Sequence, residues 1–180
     1  MSDAAASLDP NSLFFENNWV LRGHFESDIH YYKISYIHLL DVSTIADWCT
    51  MINHIDVQIL MSERQQYMVH DKPIAALSLF KHPVLPEWED KSNHNGYTLS
   101  FRGTMEPSKI SLVWRDLTCD LVREGLEDYF LGIQMSKKWF RRTLTCKIDV
   151  WLSSTANLAH AHSLLRGITE LQFTNVPRHM

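Results

Sequence analysis

Apolar and polar positions along this chain alternate with two different periods, and the changes of period mark its elements. From Asn17 to Phe25 the apolar Trp19 and Leu21, with Gly23, share one parity, which predicts a half-buried strand. Residues 31–40 are rich in aromatic and β-branched types and predict a second strand, joined to the first by a hairpin whose mobile tip lies around Ser27 and Asp28. Ser43 reads as an N-cap, since Ile45, Trp48, Cys49, Ile52 and Ile55 follow it at the three-and-four spacing of one helix face. Residues 56–76 show no clear period and carry Asp71-Lys72-Pro73, which predicts a long connection or lid. Tyr97, Leu99 and Phe101 then alternate with Thr98, Ser100 and Arg102 in a strand. Pro107-Ser108 opens a second helix with an apolar stripe of Ile110, Val113, Trp114, Leu117 and Leu121, and Gly125 is a natural stop. Two strands follow at about 130–140 and 143–152. A third helix begins near Ser154-Thr155, with Leu158, Ala161, Leu165 and Ile168 turned inward.

Strand and helix runs are mixed without a regular strand–helix alternation, and the strands alternate cleanly. The expected class is α+β, with helices on one face of an antiparallel sheet and the other face left open. Residues 1–12 are small and polar and predict a flexible N-terminal arm, leaving 13–180 as a single domain. A hydrophobic content of 45% beside 21% charged residues is that of an ordinary globular chain. The formal charge of −4 argues against a general nucleic-acid binder, which would be basic overall. Three widely spaced cysteines, Cys49, Cys119 and Cys146, form no CxxC pattern, so neither a disulfide framework nor a zinc site is expected. A reducing, cytoplasmic setting follows from that, since no apolar run is long enough for a membrane span and the first residues lack the basic and apolar parts of a secretory signal.

One stretch stands apart from this regular pattern, Leu77 to Asp90. A short alternating run ends at Lys81, and Pro83 and Pro86 then force an extended path into Trp88 and Glu89. The result is a stiffened loop presenting a large ring and a carboxylate side by side. A flat ring beside a bidentate acceptor suits a purine, stacked on its face and hydrogen-bonded at its edge.

Signatures of catalysis are missing. The six glycines never cluster, so there is no phosphate-cradling loop and no nucleophile elbow. The ten histidines include no His-Glu-x-x-His pattern, and His160 and His162 are two apart on an expected helix, so neither a metal site nor an enzyme is expected. Local charge is more informative. No acidic residue lies between Asp128 and Asp149, yet Lys137, Lys138, Arg141, Arg142 and Lys147 do. Alternation puts Thr145, Lys147, Asp149 and Trp151 on one strand face, with Lys147 and Trp151 roughly 13 Å apart along it. A cationic strip leading to an aromatic ring fits a phosphorylated base.

Four segments in order resemble the messenger-RNA cap-binding translation initiation factor 4E family: Asn17-Asn18-Trp19, Ser43 to Trp48 running on to Asn53-His54-Ile55, Phe80 to Asp90, and Lys147-Ile148-Asp149-Val150-Trp151. The resemblance covers about residues 13–170, and Trp88-Glu89-Asp90 after a Leu-Phe strand is its most specific piece. It implies a curved antiparallel sheet with three helices on the convex face. It also implies a non-enzymatic role without cofactor: binding the 7-methylguanosine 5′ cap of messenger RNA in translation initiation or its regulation. In that family 7-methylguanine lies between two aromatic rings. The resemblance assigns the rings to Trp88 and Tyr32, the latter a phenol in place of the family's indole, and the edge-reading carboxylate to Glu89. Trp151 falls near the N7 methyl, Lys147 at a phosphate contact, and Lys138 in place of an arginine, with Arg141 and Arg142 as alternatives.

The physics agrees with that assignment. Methylation at N7 makes the base cationic, which adds a cation–π term to stacking and makes bonds to a carboxylate charge-assisted. The implied partner surface departs further. It would comprise Ile45, Trp48, Cys49, Trp114, Arg115, Asp116 and Cys119, and would receive the Tyr-x-x-x-x-Leu-Φ helix of the initiation factor 4G scaffold or of repressors. Cys49 stands where the family has a tryptophan and Arg115 where a leucine is expected, so a partner with an atypical motif is implied. A protein-interaction module with weakened cap binding is the alternative reading.

Overall fold

The structure is a computed structural model and describes residues 13–25, 36–62, 65–123, 126–140 and 143–177. The chain begins with two paired strands, β1 (Phe14–Phe25) and β2 (Tyr36–Thr44), followed by helix α1 (Ile45–His54), the one-turn helix α2 (Val57–Leu60) and the short strand β3 (Tyr67–Val69). Strand β4 (Lys72–Lys81), the loop with Trp88, strand β5 (Tyr97–Gly103) and helix α3 (Pro107–Val122) come next. Strands β6 (Phe130–Phe140) and β7 (Thr143–Leu152), helix α4 (Leu158–Ile168) and strand β8 (Thr174–Pro177) complete it. The strands form one sheet in the order β2-β1-β4-β6-β7-β5-β8, with β3 pairing beside β4, and every pair is antiparallel. The α+β expectation holds.

Parity along each strand divides the sheet into two faces. Trp19 and Leu21 of β1, Leu77 and Leu79 of β4, Ile133 and Met135 of β6, and Ile148 and Val150 of β7 point to the helices. There they join Met51 of α1, Val57 and Leu60 of α2, the α3 stripe from Ile110 to Leu121, and Ala161 and Leu165 of α4 in one buried core. Burial of this many large apolar groups, each contributing roughly 1.5–3 kcal/mol, is the main source of stability.

Several local expectations shift. The N-cap of α1 is Thr44 rather than Ser43: its hydroxyl accepts from Asp47 N–H, and the Asp47 carboxylate accepts from the N–H groups of both Ser43 and Thr44. Burial works against the Asp47 charge, but these bonds outweigh it and hold its pKa below the usual value. Residues 56–76 are not an irregular lid, because α2, β3 and the start of β4 lie within them. Pro73 fits inside β4 near its beginning, opposite Met68 of the short β3. The second strand is found at 36–44, while 26–35, with the expected hairpin tip, lie outside the described residues, as does Gly125. Strand β8 at the sheet edge was not expected from the sequence.

Candidate nucleotide-binding site

The loop between β4 and β5 is built before it presents anything. Asp90 anchors it, one carboxylate oxygen accepting from Leu85 N–H and the other from Ser92 N–H. The buried Asn93 amide donates to the carbonyls of Leu85 and Glu87. The His82–Pro83 bond is cis. Beneath the loop, Val84, Phe80, Leu131 and Trp151 form a second, smaller apolar cluster. Gly132 makes room for it, since a Cβ there would fall 2.4 Å from the Phe80 ring.

On this base the loop holds Trp88 with 51% of its surface exposed, its ring centroid 5.2 Å from that of Trp151 at a 51° tilt. Trp151 is itself 3% exposed and meets Phe80 edge-on at 5.4 Å. Trp151 therefore packs against Trp88 as a neighbouring wall of the same site. Glu89 follows as an exposed carboxylate on the same turn. Trp88, Trp151 and Lys147 line one cavity of about 330 Å³ together with Ser100, Arg102 and Asp149.

The register places the cations. Lys147 of β7 lies opposite Ser136 of β6 and Arg102 of β5, and Lys138 lies opposite Thr145 one step further along the same face. Lys137 takes the opposite parity. Tyr32, Arg141 and Arg142 lie outside the described residues. Lys147 is not a solitary cation, because its ammonium donates to Asp149. Strand alternation already puts Asp149 on this face, but the pattern alone signals no role for it or for Arg102.

A further polar group lies on the β1 side of the same loop. Arg22, 8% exposed, sits 5.7 Å from the Tyr36 ring centroid, and the Tyr36 hydroxyl is hydrogen-bonded to Glu87. Burial raises the Tyr36 pKa, and the bond to Glu87 and its charge raise it further. Burial likewise lowers that of Arg22, against the favourable charge of Glu87. Next to Arg22 the imidazole of His24 is bonded to the Ser78 hydroxyl at 2.8 Å. Burial, with the Arg22 charge, pushes its pKa down to about 4, so it is neutral near pH 7. The loop thus spans a polar group under Glu87 and an aromatic group under Trp88. No sequence pattern signals the first, since its members come from three separate elements.

On the helix-bearing face Ile45 and Arg115 are exposed, while Trp48, Cys49, Asp116 and Cys119 are half-buried. The Trp48 indole N–H points inward to the Thr118 hydroxyl at 3.4 Å, so its ring does not turn out to replace a tryptophan at Cys49. Arg115 is paired with its neighbour Asp116. Trp114 is 2% exposed and packs in the core, yet it also lines the cavity between the helices; Leu112 is the exposed large apolar residue of α3. Ile52, Ile55, Leu112 and Arg115 line a cavity of about 350 Å³ between α1, α2 and α3. Among the described residues no group of His, Cys, Asp or Glu could hold a metal ion. No helix among them is long and apolar enough to cross a membrane.

The model of the eukaryotic initiation factor 4E family matches residues 14–178. The chain belongs to the initiation factor 4E family. Solved structures agree with this member in fold. The eIF4E-3 of Ascaris suum with m7G cap superimposes with a TM-score of 0.72 at 16% identity, over 93% of this chain and 92% of that one. A schistosome eIF4E complexed with m7GpppG and 4E-BP gives 0.66 at 20% identity, over 91% and 88%. The eIF4E-3 of C. elegans with the 4E-binding protein Mextli and a cap analog gives 0.66 at 18% identity, over 90% and 91%. No curated protein matches this family member at a significant level.

Proposed function

We propose that this protein is a non-enzymatic reader of the 7-methylguanosine 5′ cap of messenger RNA, acting in translation initiation or its regulation. The observation that carries the reading is the braced loop on which Trp88, followed by the exposed Glu89, lines one cavity with Trp151 and Lys147, in a chain of this family. Trp88 stacks on the methylated base, with Tyr32 as the opposing ring. Glu89 accepts from the guanine N1–H and amino group, and the Trp88 backbone N–H donates to O6. Trp151 faces the N7 methyl. Lys138 and Lys147, with Arg141 and Arg142, form the phosphate side. A cationic base gains on both the ring face and the carboxylate, which is the physical basis for preferring 7-methyl-GTP to GTP. Titration of tryptophan fluorescence with the two nucleotides tests this: clear preference for the methylated one is expected, and equal affinity contradicts it.

Related structures carry partner proteins, 4E-BP in the schistosome complex and Mextli in that of C. elegans. For this chain we infer a partner surface on the helix-bearing face around Ile45, Cys49, Leu112 and Arg115, suited to an amphipathic segment with an acidic residue toward Arg115. Its location is cytoplasmic on this reading.

A further inference from the structure

The cavity under Trp88 carries a carboxylate among its cations. Asp149 is 6% exposed and lies two residues from Lys147 on the same face of β7. One of its oxygens accepts from the Lys147 ammonium and the other from the Ser100 hydroxyl of β5. Both oxygens are therefore engaged. The register holds Asp149 between Gln134 and Ser100, and burial keeps it from swinging out to solvent. A phosphate approaching Lys147 meets a locally neutral pair rather than a lone cation. In a partly dry cavity the repulsion between that phosphate and Asp149 is weakly screened, so much of the attraction to Lys147 is cancelled. Arg102, opposite Lys147 on β5, is exposed, and its charge is shielded by water and salt.

We propose that Asp149 is a specificity-determining residue that restrains Lys147 and makes this a site in which the base outweighs the phosphate chain. The inference rests on the cap-binding reading and narrows its ligand: Lys147 itself adds little to phosphate binding, which is left to cations such as Lys138 on the same face, and the methylated guanine carries more of the selection. Asp149 is then a brake on anions in general, including nucleotides that lack the methyl group.

Asp149→Asn tests it, because the amide oxygen can still accept from Ser100 while the negative charge is removed. The variant is expected to bind 7-methyl-GTP, GTP and inorganic triphosphate each about tenfold more tightly than the wild type, with a steeper loss of affinity in added salt. The gain for 7-methyl-GMP should be smaller. Unchanged or weaker binding of inorganic triphosphate by folded variant would overturn the inference and make Asp149 a positioning residue for Lys147. The two readings fail separately. Loss of the 7-methyl-GTP preference over GTP in the wild type removes the cap assignment, whereas the triphosphate comparison judges Asp149 alone.

Discussion

The two faces of the sheet are built from the same strands and do opposite things. On the helix-bearing face, side chains of alternate parity meet helix stripes in one continuous apolar core. On the other face the same strands carry Arg22, His24, Ser78, Lys147 and Asp149, several of them buried, beneath a loop that leaves Trp88 exposed. The first face gains its stability from area, which tolerates many solutions. The second holds charge in half-dry surroundings, where each group must find a partner or a ligand. Stability and recognition are thereby separated by strand parity, and substitutions on the two faces should fail in different assays.

The largest expected effect is on the helix side. Trp114→Ala should cost about 3–5 kcal/mol of stability through the cavity it leaves, measured by chemical denaturation. The surviving folded protein should keep its ratio of 7-methyl-GTP to GTP affinity; a changed ratio would break the separation. Glu89→Ala is the converse: it should lose roughly 2–4 kcal/mol of 7-methyl-GTP binding with an unaltered melting temperature. Comparable affinity in that variant would show that another group reads the base edge.

His24 sharpens the comparison, since it links the charged face to stability. Its folded pKa of about 4 lies below the ordinary 6.5, so the unfolded chain takes up a proton first as pH falls. The wild type should therefore lose about 2 kcal/mol between pH 7 and pH 5 relative to His24→Gln, calculated from these two pKa values by proton linkage. Parallel stability curves for the two proteins would contradict a buried neutral imidazole. The smallest effect concerns the partner surface. A Tyr-x-x-x-x-Leu-Φ peptide should bind the wild type weakly, and the Cys49→Trp, Arg115→Leu double variant should gain roughly tenfold by adding aromatic area and removing a charge. Tight binding to the wild type would show that Cys49 and Arg115 do not limit docking.

Legibility in the sequence followed the same division. The strands at 130–140 and 143–152 and the α3 stripe were readable because one face of each is continuously apolar and the period is unbroken. The N-cap of α1 was misplaced by one residue because Ser43 and Thr44 both offer hydroxyls and both donate N–H groups to Asp47. Strand β8 escaped because only four residues pair there, on the sheet edge beside β5. Trp88 and Glu89 were visible because two prolines and a pair of unlike residues stand out locally. The Arg22, Tyr36 and Glu87 group was not, since its members are brought together by strand order and the folded loop. Asp149 shows the limit most plainly. Alternation put it on the face of Lys147, but that it pairs with Lys147 depends on burial and on Ser100 from another strand.

The central claim, that the loop-bearing face is the nucleotide site, is tested most directly by proton–nitrogen spectra of the indole N–H groups during titration with 7-methyl-GTP. Trp19 and Trp114 lie in the helix-side core, and Trp88 and Trp151 lie on the loop side. The account predicts large shifts for Trp88 and Trp151, while Trp19 and Trp114, buried in the helix-side core, stay in place. Shifts centred on Trp48 and Trp114 with Trp88 unmoved would put the ligand on the other face and contradict it.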